Sequence, residues 1–132
     1  MNTKQSILLV EDELPAALAL SNVLKDEGFE VFTAVNGEEG LMMALEHHPD
    51  MILADLKMPK MGGMEMIREL RKDAWGKDAE VIILTNASEV QLIEEAMSHN
   101  AFHYLIKGDS SMAEVIAKIR ARLTDTASKG RE

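Results

Sequence analysis

The chain has 132 residues, 46% of them hydrophobic, no cysteine and a formal net charge of -9, which suits one domain with a real core. The acidic balance argues against a nucleic-acid or anionic-membrane surface, no apolar stretch is long enough to span a bilayer, and the lack of cysteine removes disulfides and thiolate zinc sites. The N-terminus runs straight into a strand-like segment without the apolar stretch and cleavage site of a signal peptide, so the expected location is cytoplasmic.

Strand-like and helix-like segments alternate five times, which indicates an α/β fold. The first strand is predicted at 6–10, where Ile7-Leu8-Leu9-Val10 meets Glu11-Asp12. Pro15 near the start of the following helix and Gly28 past its end set its limits, with Ala17, Leu20 and Leu24 on its apolar face. The second strand, 30–35, is mixed in character and suits a sheet edge; the second helix opens after Asn36-Gly37 and carries the apolar residues Leu41, Ala44 and Leu45.

A third strand, Met51-Ile52-Leu53-Ala54-Asp55, stands directly before Leu56-Lys57-Met58-Pro59. The third helix carries Met64, Ile67, Leu70 and Arg71, and Trp75 lies in the loop 72–79, where half-packing on that helix is expected. The fourth strand, 80–85, ends in Thr85. A fourth helix follows from Ser88 to His99, burying Ile93, Ala96 and Met97 and stopping at Asn100, a residue that tolerates the left-handed cap. The fifth strand, 103–106, ends in Lys107, and Ser111-Met112-Ala113-Glu114 opens the fifth helix as a capping box. Met112, Val115, Ile116, Ile119 and Leu123 follow at helical spacing, and 124–132 is a polar tail expected to fray.

The first, third and fourth strands are continuous apolar runs, as strands covered by helices on both faces are. The pattern predicts a five-stranded parallel sheet in the order 2-1-3-4-5 flanked by five helices, a flavodoxin-like doubly wound fold. Such sheets bind ligands beyond the carboxyl ends of the strands, where strand order reverses. Glu11, Asp12 and Asp55 fall at that point. Three close carboxylates repel one another unless a cation offsets them, and oxygen ligation with room for water fits Mg²⁺ better than zinc.

A carboxylate beside Mg²⁺ is a nucleophile toward a phosphoryl group, giving an acyl phosphate. The transfer then depends on stabilising charge on the equatorial oxygens: Mg²⁺ covers one, the Lys107 ammonium a second, and the Thr85 hydroxyl with a nearby backbone N–H the third. Singly, each residue has an ordinary reading: Asp55 as a turn residue, Thr85 as a helix cap, Lys107 as a solvated loop lysine. Their joint occurrence at successive strand ends carries the argument. The histidines His47 and His48 at the end of the second helix suit solvent and the helix dipole, and the ten methionines suit adaptable core packing.

Over about residues 5–123 the chain resembles a receiver domain of the bacterial two-component response regulators, of the chemotaxis-regulator kind. The resemblance rests on Ile7-Leu8-Leu9-Val10-Glu11-Asp12-Glu13, on Asp55-Leu56-Lys57-Met58-Pro59-Lys60-Met61-Gly62-Gly63, on Ile82-Ile83-Leu84-Thr85 and on Tyr104-Leu105-Ile106-Lys107. It implies Asp55 as phosphoacceptor and a Mg²⁺ site made by Asp12, Asp55, the Lys57 backbone carbonyl and, through water, Glu11. It further implies Thr85 as switch hydroxyl beside the Asn86 backbone, Lys107 as phosphate-sensing lysine and Tyr104 as the aromatic that moves with them. Lys57 and Ala87, two residues after Asp55 and Thr85, would tune the lifetime of the phosphorylated state. Gly108 stands where a proline usually follows the lysine, Asn86 where a smaller residue is common, and Gly62 in place of a common aspartate.

The implied partners are a histidine kinase or phosphotransfer protein and a downstream protein that meets the face of the fourth helix, fifth strand and fifth helix. A phosphorylation-dependent homodimer is the other outcome of such a switch; neither direct nucleic-acid nor membrane binding is expected. The residues after Leu123 leave no room for an output domain, which fits a stand-alone receiver or the first domain of something longer. Two other readings are a Mg²⁺-dependent phosphatase with an aspartyl-phosphate intermediate and a degenerate receiver acting as an interaction scaffold. The phosphatase class places its nucleophile after the first strand with a second aspartate two residues on, where this chain has Lys57; the intact acidic, hydroxyl and lysine set speaks against the scaffold.

Overall fold

The structure is a computed structural model. It describes residues 4–97, 103–107 and 111–130, with the side chains of all of these except 87, 92, 95–97 and 125–130. The strands are β1 (Ser6–Val10), β2 (Glu30–Ala34), β3 (Met51–Asp55), β4 (Val81–Thr85) and β5 (His103–Ile106). They form one sheet in the order β2-β1-β3-β4-β5, and every neighbouring pair is parallel. The helices are α1 (Leu14–Asp26), α2 (Gly37–His47), α3 (Gly63–Leu70), α4 (Val90–Met97) and α5 (Met112–Gly130), with short 3-10 turns at Gly76–Asp78 and Ala87–Glu89.

Alternation along the strands divides the core in two. Leu8, Val10, Ile52, Ala54 and Ile83 meet Ala44 of α2, Met66, Ile67 and Leu70 of α3, and Ile93 of α4. On the other face Ile7, Leu9, Met51, Leu53 and Ile82 meet Ala17 and Leu24 of α1 and Ile116, Ile119 and Leu123 of α5. The central strands are thus buried on both sides, as their unbroken apolar runs predict.

Local signals set the helix limits. Pro15 lies in the first turn of α1, where its missing N–H leaves no bond unmade. At the other end the N–H of Gly28 donates to the Lys25 carbonyl at 3.0 Å and that of Phe29 to the Leu24 carbonyl at 3.2 Å, with Gly28 at φ 97°. The Asn36 side chain accepts from the Glu39 N–H at 2.8 Å to cap α2. The capping box of α5 closes both ways: the Ser111 N–H donates to Glu114 Oε1 at 3.1 Å, and the Glu114 N–H to Ser111 Oγ at 3.2 Å.

Several expectations are corrected. Leu45 and Met112 are 37% and 41% exposed, because α2 turns Gly37, Gly40 and Ala44 inward and Met112 sits on the outward first turn of α5. Met66 is the fully buried methionine of α3, and Met64, expected on its apolar face, is half-buried against the same core. The segment after Leu123 does not fray at once, since α5 continues to Gly130. Arg71 is a clamp: one guanidinium nitrogen donates to the Gly76 and Ala79 carbonyls at 2.7 and 2.8 Å. Trp75 is half-buried against the core that Met66, Ile67 and Leu70 of α3 help form, as its expected half-packing on the third helix requires, and it also stacks on His48 with ring centroids 4.3 Å apart. His47 likewise stacks on Phe32 at 4.6 Å, so both imidazoles cover aromatic surface. The expected stop at Asn100, His99, the side chains of Ala96 and Met97, and the Lys107-Gly108 bond lie outside the described residues.

Gly28 provides a clean test of the α1 cap, because a Cβ there would meet nothing within 4 Å. Gly28→Ala should cost about 1 kcal/mol through its positive φ alone. Denaturant unfolding of the two proteins measures it, and equal midpoints would show that the cap carries no conformational demand.

Candidate functional site

Strand register assembles the site. Val10 lies opposite Ala54 in the β1–β3 ladder, so the residues that follow, Glu11 and Asp55, stand side by side. Asp55 in turn lies opposite Leu84, and Thr85 opposite Ile106, which carries the row on to Lys107. Backbone bonds fix the strand exits. The Glu11 N–H donates to the Ala34 carbonyl at 3.0 Å, Leu56 N–H to Leu84 at 3.1 Å, and Lys107 N–H to Thr85 at 2.7 Å. Gly63, whose N–H donates to the Leu56 carbonyl at 2.9 Å, brings α3 under this edge; a Cβ there would lie 2.5 Å from the Asp55 carbonyl oxygen.

One carboxylate oxygen from each of Glu11, Asp12 and Asp55 lies within 4.8 Å of the others. Glu11 and Asp55 are only 5% and 8% exposed. The Lys107 ammonium answers them, 2.5 Å from Asp55 Oδ1 and 3.6 Å from Glu11 Oε1. Burial pushes the Glu11 carboxyl up from 4.5 to about 7; hydrogen bonding to Asp55 and its negative charge add to this, and Lys107 opposes it. Burial works against the charge on Lys107, but its contacts with Asp55 and Glu11 outweigh that and raise its pKa.

Glu11 Oε2 is buried and has no hydrogen-bond partner. A hard-oxygen donor set with an unanswered buried oxygen fits a divalent cation such as Mg²⁺. Beside it opens a cavity of about 300 Å³ whose lining includes Asp12, Asp55, Lys57, Thr85, Asn86, Glu89 and Lys107. Among the sequence-predicted residues, Glu11, Asp12, Asp55, Thr85, Asn86 and Lys107 therefore converge. Thr85 is buried and its hydroxyl donates to the Asn86 carbonyl at 3.3 Å. Tyr104 is half-buried against the α2–α4 core; its register partner is Ile83, two residues before Thr85, so both side chains use the same sheet face.

Lys57 is at the cavity but bends toward Glu89, 3.5 Å from its Oε1. The side chain of Ala87 lies outside the described residues. Glu89 is the residue that sequence reasoning missed. No periodicity along the chain signalled it, because Thr85 ends β4 and Glu89 closes a 3-10 turn.

Residues 7–120 match the family described as the response regulator receiver domain. The chain is 35% identical over 121 residues to the transcriptional regulatory protein PrrA of Mycobacterium tuberculosis, covering 92% of this chain and 51% of that protein. It is 36% identical over 122 residues to the probable transcriptional regulator ycf27 of Pyropia yezoensis, covering 92% and 49%. A receiver domain structure from Clostridium thermocellum superposes with a TM-score of 0.84 at 30% identity, covering 93% of this chain and 97% of that one. The chemotaxis protein CheY4 of Vibrio cholerae gives 0.82 at 26% identity, covering 90% and 98%. The chain belongs to the response regulator receiver domain family.

Receiver domains bind Mg²⁺ at an acidic pocket, and in this one Glu11, Asp12 and Asp55 supply the acidic group. Response regulators work in two-component systems with histidine kinases and downstream effectors. This receiver domain spans about half the length of the curated relatives it matches. Among the described residues, no helix is long and apolar enough to cross a membrane.

The Glu11 proton gives a stability test in the absence of metal. A carboxyl that titrates near 4.5 when unfolded and near 7 when folded favours the folded state below 4.5 and loses that contribution as pH rises through about 7. Glu11→Gln cannot titrate. In chelator, the stability of the parent relative to Glu11→Gln should therefore fall between pH 4.5 and 7, as followed by thermal melts; a constant difference would mean that Glu11 carries no such proton.

Proposed function

We propose that this receiver domain is a phosphorylation-dependent switch that takes a phosphoryl group from a phosphohistidine onto Asp55. The supporting observation is the placement of Lys107, 2.5 Å from Asp55 Oδ1 and 3.6 Å from Glu11 Oε1, beside a group of three carboxylates suited to a divalent cation. An Asp55 oxygen attacks the phosphorus in line with the phosphorus–nitrogen bond. That bond breaks, its electron pair leaves with the imidazole, and an acyl phosphate remains.

Asp12 and Asp55 would hold Mg²⁺ directly, with the Lys57 backbone carbonyl, and Glu11 through water. When bound, the cation offsets carboxylate repulsion and neutralises phosphoryl charge. The Lys107 ammonium transfers its contact from the carboxylate to a phosphoryl oxygen. The Thr85 hydroxyl leaves the Asn86 carbonyl and, with the Asn86 backbone N–H, donates to another oxygen. Its movement clears space on the face it shares with Tyr104, and inward rotation of the ring reshapes the surface of α4, β5 and α5.

That surface meets the downstream protein or a second phosphorylated copy. The donor is a histidine kinase or phosphotransfer protein, the location is cytoplasmic, and neither nucleic acid nor membrane is a direct ligand. No external substrate is turned over. Lys57, standing at the cavity mouth, and Ala87 set the lifetime of the acyl phosphate.

With Mg²⁺ and acetyl phosphate, the parent protein should gain one phosphoryl group by intact mass and Asp55→Asn none. A variant that labels as well as the parent would remove Asp55 as acceptor. Asp12→Ala should lose about tenfold or more in Mg²⁺ affinity, a change of roughly 1.4 kcal/mol, whereas Lys107→Ala should keep or raise it by removing a neighbouring cation. Calorimetric titration decides this, and equal losses would refute the division of roles. Thr85→Ala should still accept phosphate but lose the accompanying NMR shifts at Tyr104; persistence of those shifts would uncouple the two residues.

A further inference from the structure

The Lys57 ammonium and Glu89 Oε1, 3.5 Å apart, join two segments that meet at the site. Lys57 lies two residues beyond Asp55. Glu89 closes the turn Ala87–Glu89, and α4 begins at the next residue. Both line the cavity they share with Asp55, Thr85 and Lys107. Their surroundings are unequal: the Lys57 side chain is 75% exposed and that of Glu89 12%. The turn closes on itself through the Glu89 N–H, which donates to the Asn86 carbonyl at 3.0 Å. The Glu89 side chain is what ties the turn across the cavity mouth.

A largely solvated ammonium held by one carboxylate is weakly bound. Forming the acyl phosphate replaces the single charge of Asp55 by about 1.5–2 negative charges on the phosphoryl oxygens, in the cavity that already holds the Glu89 charge. The ammonium then has a stronger partner within reach of its flexible stem. Once it moves, Glu89 is a largely buried carboxylate facing a like charge, and outward movement toward water relieves both costs.

We propose that Glu89 is a positioning residue that holds Lys57 at the cavity mouth until a phosphoryl group captures the ammonium, and that its release loosens the turn leading into α4. This exchange rests on the reading of Asp55 as acceptor, and acts on α4 through charge, independently of the movement of Thr85 and Tyr104.

The full chain, Glu89→Gln, Glu89→Asp, Lys57→Met and the Lys57→Met/Glu89→Gln double variant are labelled with acetyl phosphate and Mg²⁺. Rates come from intact mass, and the backbone amides 86–91 are followed by NMR. Glu89→Gln should label about threefold faster, the size expected for freeing such an ammonium and removing a repelling charge. Its unphosphorylated amides should lie nearer their phosphorylated positions. Glu89→Asp, which keeps the charge, should restore most of the parent behaviour, a rescue that a merely structural role would not require. In the Lys57→Met background the Glu89→Gln acceleration should vanish. Labelling of every protein at equal rate, or an acceleration that survives without Lys57, overturns the exchange alone. Absence of labelling in all of them overturns the Asp55 reading and the exchange with it.

Discussion

Carboxylate repulsion at the end of a parallel sheet is the constraint on which this molecule depends. Glu11, Asp12 and Asp55 bring their oxygens within 4.8 Å of one another at positions fixed by strand register rather than by side-chain choice. Two unit charges about 4 Å apart interact by about 4 kcal/mol at an effective dielectric of 20. A cost of that size is met in three ways: by retaining a proton, by an ammonium, or by a divalent cation. The raised pKa of Glu11, due first to burial and then to Asp55, reflects the first and the Lys107 contacts the second. The buried, unpartnered Glu11 oxygen leaves room for the third. These neutralisers compete for the same charge, so any group that arrives changes the hold on the others.

The scaffold around the cluster is rigid where the cluster needs it. Ile7, Val10, Ile52, Leu53, Ala54 and Ile83 are fully buried, and the close approach of Gly63 to the Asp55 carbonyl presses α3 beneath the strand end. Toward β5 the construction is lighter. β5 has four residues, all half-buried, and α4 is a helix of eight residues entered through a 3-10 turn. A change of charge at the center therefore meets a stiff wall on the β1–β3 side and a more yielding one on the α4 side. This asymmetry gives a local electrostatic event a direction.

The opposite end of the sheet is built for stability. Arg71 draws the Gly76 and Ala79 carbonyls together, Asp73 accepts from the Trp75 and Gly76 N–H groups at 2.9 and 3.1 Å, and Trp75 stacks on His48. Loop 72–79 is thereby tied to α2 and α3. The two ends of the strands differ in construction, with the anchored loop at the amino ends and the acidic cluster and cavity at the carboxyl ends, where open parallel sheets usually bind ligands.

Strand order and the convergence of Asp55, Glu11, Asp12, Thr85 and Lys107 were legible in the sequence, because unbroken apolar runs mark doubly covered strands and each run ends on its functional group. The caps were legible too: Pro15, Gly28, Asn36 and the Ser111–Glu114 box act through backbone groups a few residues away, so short-range pattern suffices. Exposure of Leu45 and Met112, the deeper burial of Met66 than of Met64, and the helical continuation past Leu123 were not, since each depends on how a helix is rotated against its neighbours or on packing summed over many residues. The pairing of Lys57 with Glu89 and the stacking of Trp75 on His48 were equally hidden. Both join residues about 30 positions apart through space, and no periodicity along the chain encodes a contact that only the crossing of loops brings into being. The sequence thus determined which groups reach the sheet edge, and the tertiary structure decided which of them touch.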